Sequence, residues 1–235
     1  MSRPALRIFI VTDLAILFTY HRDDDATRDH HARLVSLNPG VPIVPLVDGG
    51  DAFIPGTFDV AGEPWRWGAD RNPWANCDTI WYRWFLSSAR VDAARYVVVE
   101  WDVLTYVPLR DFLGPVWDAD LAAPMLVTPE MTPWVWWEQI PSLGPMAAHA
   151  AGALPLALSM YSRRALEVIS RTRLDCFSEL RVGTEARAAG LNCAEIPGAR
   201  RTVVCNEAEI DWAADTGVYH PVKRCRPIDR DAGFH

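Results

Sequence analysis

The sequence predicts an α/β domain with a largely parallel central sheet flanked by helices. Two observations point there. Apolar runs of strand length alternate with helix-like patterns along most of the chain. Tyr96, Val97, Val98 and Val99 follow one another without a polar interruption, as expected of a strand covered on both faces in a parallel sheet.

Taken in order, the apolar runs at residues 6–11 and 14–19 predict one bent strand or two. A helix is expected over 26–37, capped by Asp25 and closed by Asn38, Pro39 and Gly40. A strand at 42–47 ends in the turn signal Asp48, Gly49, Gly50, and residues 51–75, with Gly, Pro and Trp but no period, read as a loop. Then come a helix at 78–89 and strands at 95–101 and 122–127. Residues 128–153 are rich in Pro, Trp, Met and Gly. They form a long shaped loop, and a loop of that length inside a domain points to function. A strand at 156–161, a helix capped by Ser162 and running to 170, a helix from 178 to Gly190 and a strand at 192–196 complete the pattern.

With 50% hydrophobic and 23% charged residues in 235, the composition is that of a globular protein. A net charge of −7 argues against duplex nucleic acid as partner, because phosphate binding needs concentrated lysine and arginine. The N-terminal apolar run is too short to span a bilayer and no small-residue cleavage site follows it, so a cytoplasmic protein is expected. Cys77, Cys176, Cys193, Cys205 and Cys225 are odd in number and include no Cys-x-x-Cys pair, which suits reduced thiols. No linker or repeat interrupts the chain, so a single domain is expected over 1–235; the oligomeric state stays open.

Glu100 and Asp102 end the run of valines. Ligands of open α/β sheets collect at the carboxyl ends of strands. If the strand continues through both acids, they point to one side, roughly 7 Å apart. Two like charges in a crevice repel unless a cation is shared. Oxygen ligands suit Mg2+ or Mn2+, which complete their shells with phosphates and water, so a metal-bridged diphosphate is the natural ligand.

Glu100-Trp101-Asp102 resembles the Asp-x-Asp motif of GT-A type nucleotide-sugar glycosyltransferases. Further stretches are similar in the family's order: Thr19, Tyr20, His21 and Arg22 at a strand end, WANCDTIWYRW before the motif strand, CFSELRVGT, and GVYHPVK near the C-terminus. The resemblance implies a GT-A like, Rossmann-type sandwich with a nucleotide-binding half at about 1–105 and an acceptor half at about 106–235. It implies metal-dependent hexosyl transfer from a UDP- or GDP-sugar donor to the hydroxyl of a glycan or small-molecule acceptor. Asp102 and His220 would hold the divalent metal (Mn2+ or Mg2+). Glu100, which stands where the family has Asp, either joins them or holds the ribose or a metal-bound water. Thr19, Tyr20, Arg22, Trp101 and Lys223 would face the nucleotide, with Arg224 adding charge. Glu179 would be the general base; a base opposite the leaving group gives inversion, although no spacing fixes that geometry.

Plainer readings stand beside these. Asp78 and Arg83 suit either nucleotide binding or an internal helix salt bridge. Glu179 lies at a helix start, where the macrodipole favours an acid whatever it does. His220 precedes Pro221 in an extended segment and also suits a surface position. Asp23, Asp24 and Asp25 read as solvated charges at a helix start, and His30 and His31 as surface residues pointing apart. Trp134, Trp136 and Trp137 cannot all face one core from a regular element; they suit stacking on an acceptor, or a loop pinned by its own aromatics. A nucleotidyltransferase or other metal-dependent phosphoester enzyme, and a binding module of the same fold without turnover, are the alternative functions.

Overall fold

The structure, a computed structural model, describes residues 12–62, 75–171, 174–199, 210 and 217–223. The described strands are β1 (Thr12–Thr19), β2 (Ile43–Val47), β3 (Phe58–Asp59), β4 (Ala93–Glu100), β5 (Leu104–Thr105), β6 (Leu121–Ala123), β7 (Met125–Val127), β8 (Gly152–Leu154), β9 (Leu158–Ser162), β10 (Cys193–Glu195) and β11 (Val218–Tyr219). The helices are α1 (Asp25–Leu37), α2 (Asp78–Leu86), α3 (Leu109–Phe112), α4 (Arg163–Ile169) and α5 (Ser178–Ala188), with a kinked 3-10 segment at Val135–His149.

Seven strands form a central sheet in the order β10-β6-β9-β4-β1-β2-β3. It is mostly parallel and flanked by helices, as the sequence predicts. The departure is β9, which runs antiparallel to both β4 and β6. The chain leaves β6 at the carboxyl end of the sheet, folds the antiparallel β7–β8 hairpin there and re-enters β9 from that same end. Alternation along β1 and β4 feeds two apolar layers. Ala15, Leu17, Tyr96 and Val98 pack with Trp81, Trp84, Leu166 and Val182 on one face. Ile16, Phe18, Val97 and Val99 pack with Leu34, Leu109 and Met160 on the other. This two-sided burial is why β4 reads as unbroken hydrophobicity.

Several local expectations are corrected. Asp24, not Asp25, caps α1: it is extended and its carboxylate accepts the Thr27 amide at 2.8 Å. The strand expected at 122–127 is broken at Pro124 into β6 and β7, which belong to different sheets; proline has no N–H to continue the ladder. The 51–75 loop carries the short β3, and residues 63–74 lie outside the described residues, as does the run at 6–11. His30 is buried rather than at the surface.

The starts of α2 and α5 are locked together. Arg181 and Asp78, both with fully buried side chains, form a bidentate pair at 2.8 and 2.5 Å. The guanidinium also donates to Asn76 Oδ1, Leu174 O and Cys176 O, so each of its five N–H groups has an acceptor. Further along α5, a Cβ on Gly183 would collide with the Ala151 carbonyl, so glycine permits the close approach of helix to β8.

Asp78→Ala leaves a buried guanidinium without its counter-charge and is expected to destabilise the fold by about 3–5 kcal/mol in denaturant unfolding. Asp23→Ala, which removes the exposed ion pair with Arg28, is expected to cost at most about 1 kcal/mol. Equal effects would show that the buried pair does not hold the two helices.

Candidate functional site

The site is built at the carboxyl end of the sheet, where β1 and β4 finish side by side with Thr19 opposite Glu100. After Glu100 the chain turns at once, the Val103 amide donating to the Glu100 carbonyl at 3.0 Å. Asp102 is therefore on a turn, and strand alternation does not align the two acids as the sequence pattern suggests. The turn is held from two sides. His30, from the buried stripe of α1, donates from Nδ1 to the Trp101 carbonyl at 2.9 Å; a carbonyl only accepts, which fixes the hydrogen on Nδ1. The Asp102 carbonyl accepts the Val222 amide at 2.8 Å.

That second bond belongs to a longer stitch. β11 pairs antiparallel with β5, Val218 opposite Thr105 and Tyr219 opposite Leu104, and the Tyr106 amide donates to Gly217 O at 3.0 Å. His220 follows directly, and its imidazole is carried onto the turn. One ligand atom from each of Glu100, Asp102 and His220 lies within 4.8 Å of the others, and His220 Nε2 is 3.4 Å from Asp102 Oδ1.

The donor set fits a divalent cation. Asp102 is buried, and its Oδ1, a strong acceptor, takes no hydrogen bond among the described residues. Buried carboxylate oxygens without donors are costly unless something positive meets them. Two carboxylates with one imidazole and no thiolate suit Mn2+ or Mg2+. Burial, then the neighbouring Asp102 charge, raises the Glu100 pKa to about 7, against the opposing pull of His220.

Glu179, in the first turn of α5, lies close enough to Glu100 and His220 to feel their charges. Burial raises its pKa to about 8, the Glu100 charge adds to the rise, and a hydrogen bond from the Leu156 amide and the His220 charge oppose it. The start of α5 is pinned by the Arg181–Asp78 pair, by the Ser178 amide on Ala75 O at 2.9 Å, and by a contact of 3.4 Å between Ser178 Oγ and Cys77 Sγ.

The remaining residues singled out in the sequence divide. Arg22 lies over the Trp101 ring at 4.7 Å, and His21 meets the same ring edge-on at 5.3 Å. Lys223 is exposed just beyond His220. Thr19 and Tyr20 are buried; the Tyr20 hydroxyl bonds Thr57 Oγ1 at 2.7 Å and its ring packs edge-on against Phe53. Asp78 and Arg83 are assigned to ion pairs, which corrects their reading as nucleotide contacts. Asp78 is enclosed with Arg181, and Arg83, with a 4% exposed side chain, bonds Asp48 Oδ1 at 3.1 Å and the Val60 carbonyl. Neither partner lies in α2, so spacing within that helix does not reveal them. Trp134 and Trp137 pack edge-on at 4.8 Å beside Leu143, Cys176 and Leu180. Trp136 stacks on Phe177 at 4.1 Å, two residues before Glu179. Arg224 lies outside the described residues.

Sequence reasoning gave His21 no role of its own and missed His30 at this site. The buried stripe Ala26, Thr27, His30, Leu34 was the signal for His30. His21 titrates below the ordinary range, chiefly from burial and then from Arg22, with Asp102 and Asp24 opposing.

Both raised carboxyls bear on stability without metal. Glu179 ionises near 4.5 when unexceptional and near 8 when folded. Between those values the folded state holds more protons than the unfolded one, so stability falls as pH rises. In chelator, denaturant midpoints are expected to fall from pH 5 to 8, and the fall should be shallower in Glu179→Gln. An identical slope in wild type and variant would contradict the burial of that carboxyl.

No protein-family model and no curated protein matches the sequence. Among solved structures, the chain is similar to galactosyltransferase LgtC in complex with donor and acceptor sugar analogues, at 13% identity and a TM-score of 0.46. It is likewise similar to an active-site mutant of LgtC, at 14% identity and a TM-score of 0.44. Each alignment covers 92% of this chain and 90% of the other. At that level the likeness says nothing of this chain's chemistry.

Proposed function

We propose that the protein is a metal-dependent glycosyltransferase that moves a sugar from a nucleoside diphosphate sugar to an acceptor hydroxyl. The observation that carries this reading is the convergence of Glu100, Asp102 and His220 at the carboxyl end of a mostly parallel sheet, with the separate acid Glu179 beside them. Asp102, His220 and Glu100 would hold a divalent cation, which would supply charge neutralisation for a leaving diphosphate. Arg22, held over Trp101, and the exposed Lys223 offer further positive charge on the same side. Glu179 accepts the acceptor's proton: burial, the largest cause of its raised pKa, makes it a stronger base than an exposed carboxylate. Inversion follows if the acceptor enters on the Glu179 side, opposite the diphosphate. Trp136, stacked on Phe177, is the aromatic residue best placed to meet an acceptor. The whole chain, 1–235, acts as one catalytic domain with its nucleotide half in 1–105.

A thermal-shift panel of UDP, GDP and CDP, each with Mn2+ and with chelator, is expected to show metal-dependent stabilisation by one nucleotide, since ligands of the folded state raise the midpoint. Asp102→Ala is expected to abolish that shift and the release of nucleoside diphosphate. Glu179→Gln is expected to keep the shift while slowing transfer by roughly 100- to 10,000-fold. A fully active Glu179→Gln removes that residue from the mechanism, and no response to any nucleotide counts against the donor class.

A further inference from the structure

The far part of α5 borders a second concave feature. A cavity of about 350 Å3 lies where β6, β7 and β10 meet the helix, within the size range of small-molecule pockets. Leu121, Leu126, Val127 and Leu191 give it an apolar lining, and Cys193 adds a half-buried thiol. Arg187 is the only charged group among the described residues that line it. Arg187 and Met131 are also the only exposed ones among those described lining residues, so they mark the open side. Met131, 66% exposed, is the most exposed large hydrophobic among the described residues.

The walls are fixed on both sides, which keeps the void from collapsing. Gly183 abuts the Ala151 carbonyl, the Ala151 amide donates to Thr184 Oγ1 at 3.2 Å, and the Trp134 ring covers Gly152. Opposite, the Leu126 amide is tied to Glu195 Oε1 at 2.9 Å. The Arg187 guanidinium uses Nη1 on Ala150 O at 3.3 Å and attracts the exposed carboxylate of Glu130. Among the described residues no other hydrogen bond engages it, and a carboxylate matches its planar fork.

We propose that this cavity binds a small amphiphile, a medium-chain carboxylate, with its apolar chain among the leucines and its anionic group on Arg187. The proposal is independent of the sugar-transfer reading. Arg187 lies two turns from Glu179, about 12 Å along the helix axis, and no residue of the cavity belongs to the carboxylate–imidazole cluster.

The test titrates the full chain with octanoate, 1-octanol and acetate. Two quantities are followed: the thermal midpoint, and the alkylation rate of Cys193 resolved by peptide mass spectrometry. Octanoate is expected to raise the midpoint saturably and to slow Cys193 alkylation several-fold. Octanol should bind roughly tenfold more weakly, as loss of one charge-assisted hydrogen bond implies, and acetate should not bind. Arg187→Gln, a change at an exposed position, is expected to bring octanoate down to the level of octanol. A folded Leu126→Trp variant, which fills the void, is expected to lose both ligands. Equal binding of octanoate and octanol, octanoate binding unchanged in Arg187→Gln, or no protection of Cys193 would each overturn the proposal.

Discussion

The carboxyl end of the sheet depends on one stitch: the pairing of β5 with β11 and the bond from the Val222 amide to the Asp102 carbonyl. These segments are more than a hundred residues apart in sequence, and bringing them together costs chain entropy. Burial of Leu104, Tyr219 and Val222 in a small apolar cluster of their own offsets that cost. The stitch sets an imidazole against two acids that share a desolvated pocket. Without a positive partner the two carboxylates repel one another, so the same contacts that shape the site also make it receptive to a cation.

A second fixed body supports the fourth group. Arg181 spends every donor it has on Asp78, Asn76 and the carbonyls of Leu174 and Cys176. It thereby ties the start of α2, the segment before α5 and α5 itself into one piece. Glu179 and Phe177, with Trp136 stacked on it, ride on that piece. That rigidity holds the Glu179 carboxyl in place, while burial and the neighbouring Glu100 charge raise its pKa. Thus the buried pair that supports the fold also orients the acid, although neither member of it faces the pocket.

Much of this was legible in the chain. The unbroken valines of β4 announced a strand covered on both faces, and the acids after Val99 marked the carboxyl end of the sheet. What failed was geometry that local pattern does not carry. The turn at Trp101 and Asp102 is set by His30 and Val222, distant in sequence, so alternation along a strand was the wrong reason for pairing the acids. β9 runs back into the sheet after β7 and β8 pair at its carboxyl end, and Pro124 divides β6 from β7 within an apolar run that looked continuous. Asp78 and Arg83 find their partners on other elements. Periodicity within α2 could suggest which of its residues are polar but not what they touch.

The central claim is that Glu100, Asp102 and His220 hold a single divalent ion. Anomalous diffraction at the manganese edge, from crystals grown with Mn2+, tests it most directly. The account predicts one strong peak within bonding distance, roughly 2.0–2.4 Å, of both Asp102 and His220. A saturated crystal whose manganese lies elsewhere, with nothing between those two side chains, would contradict it.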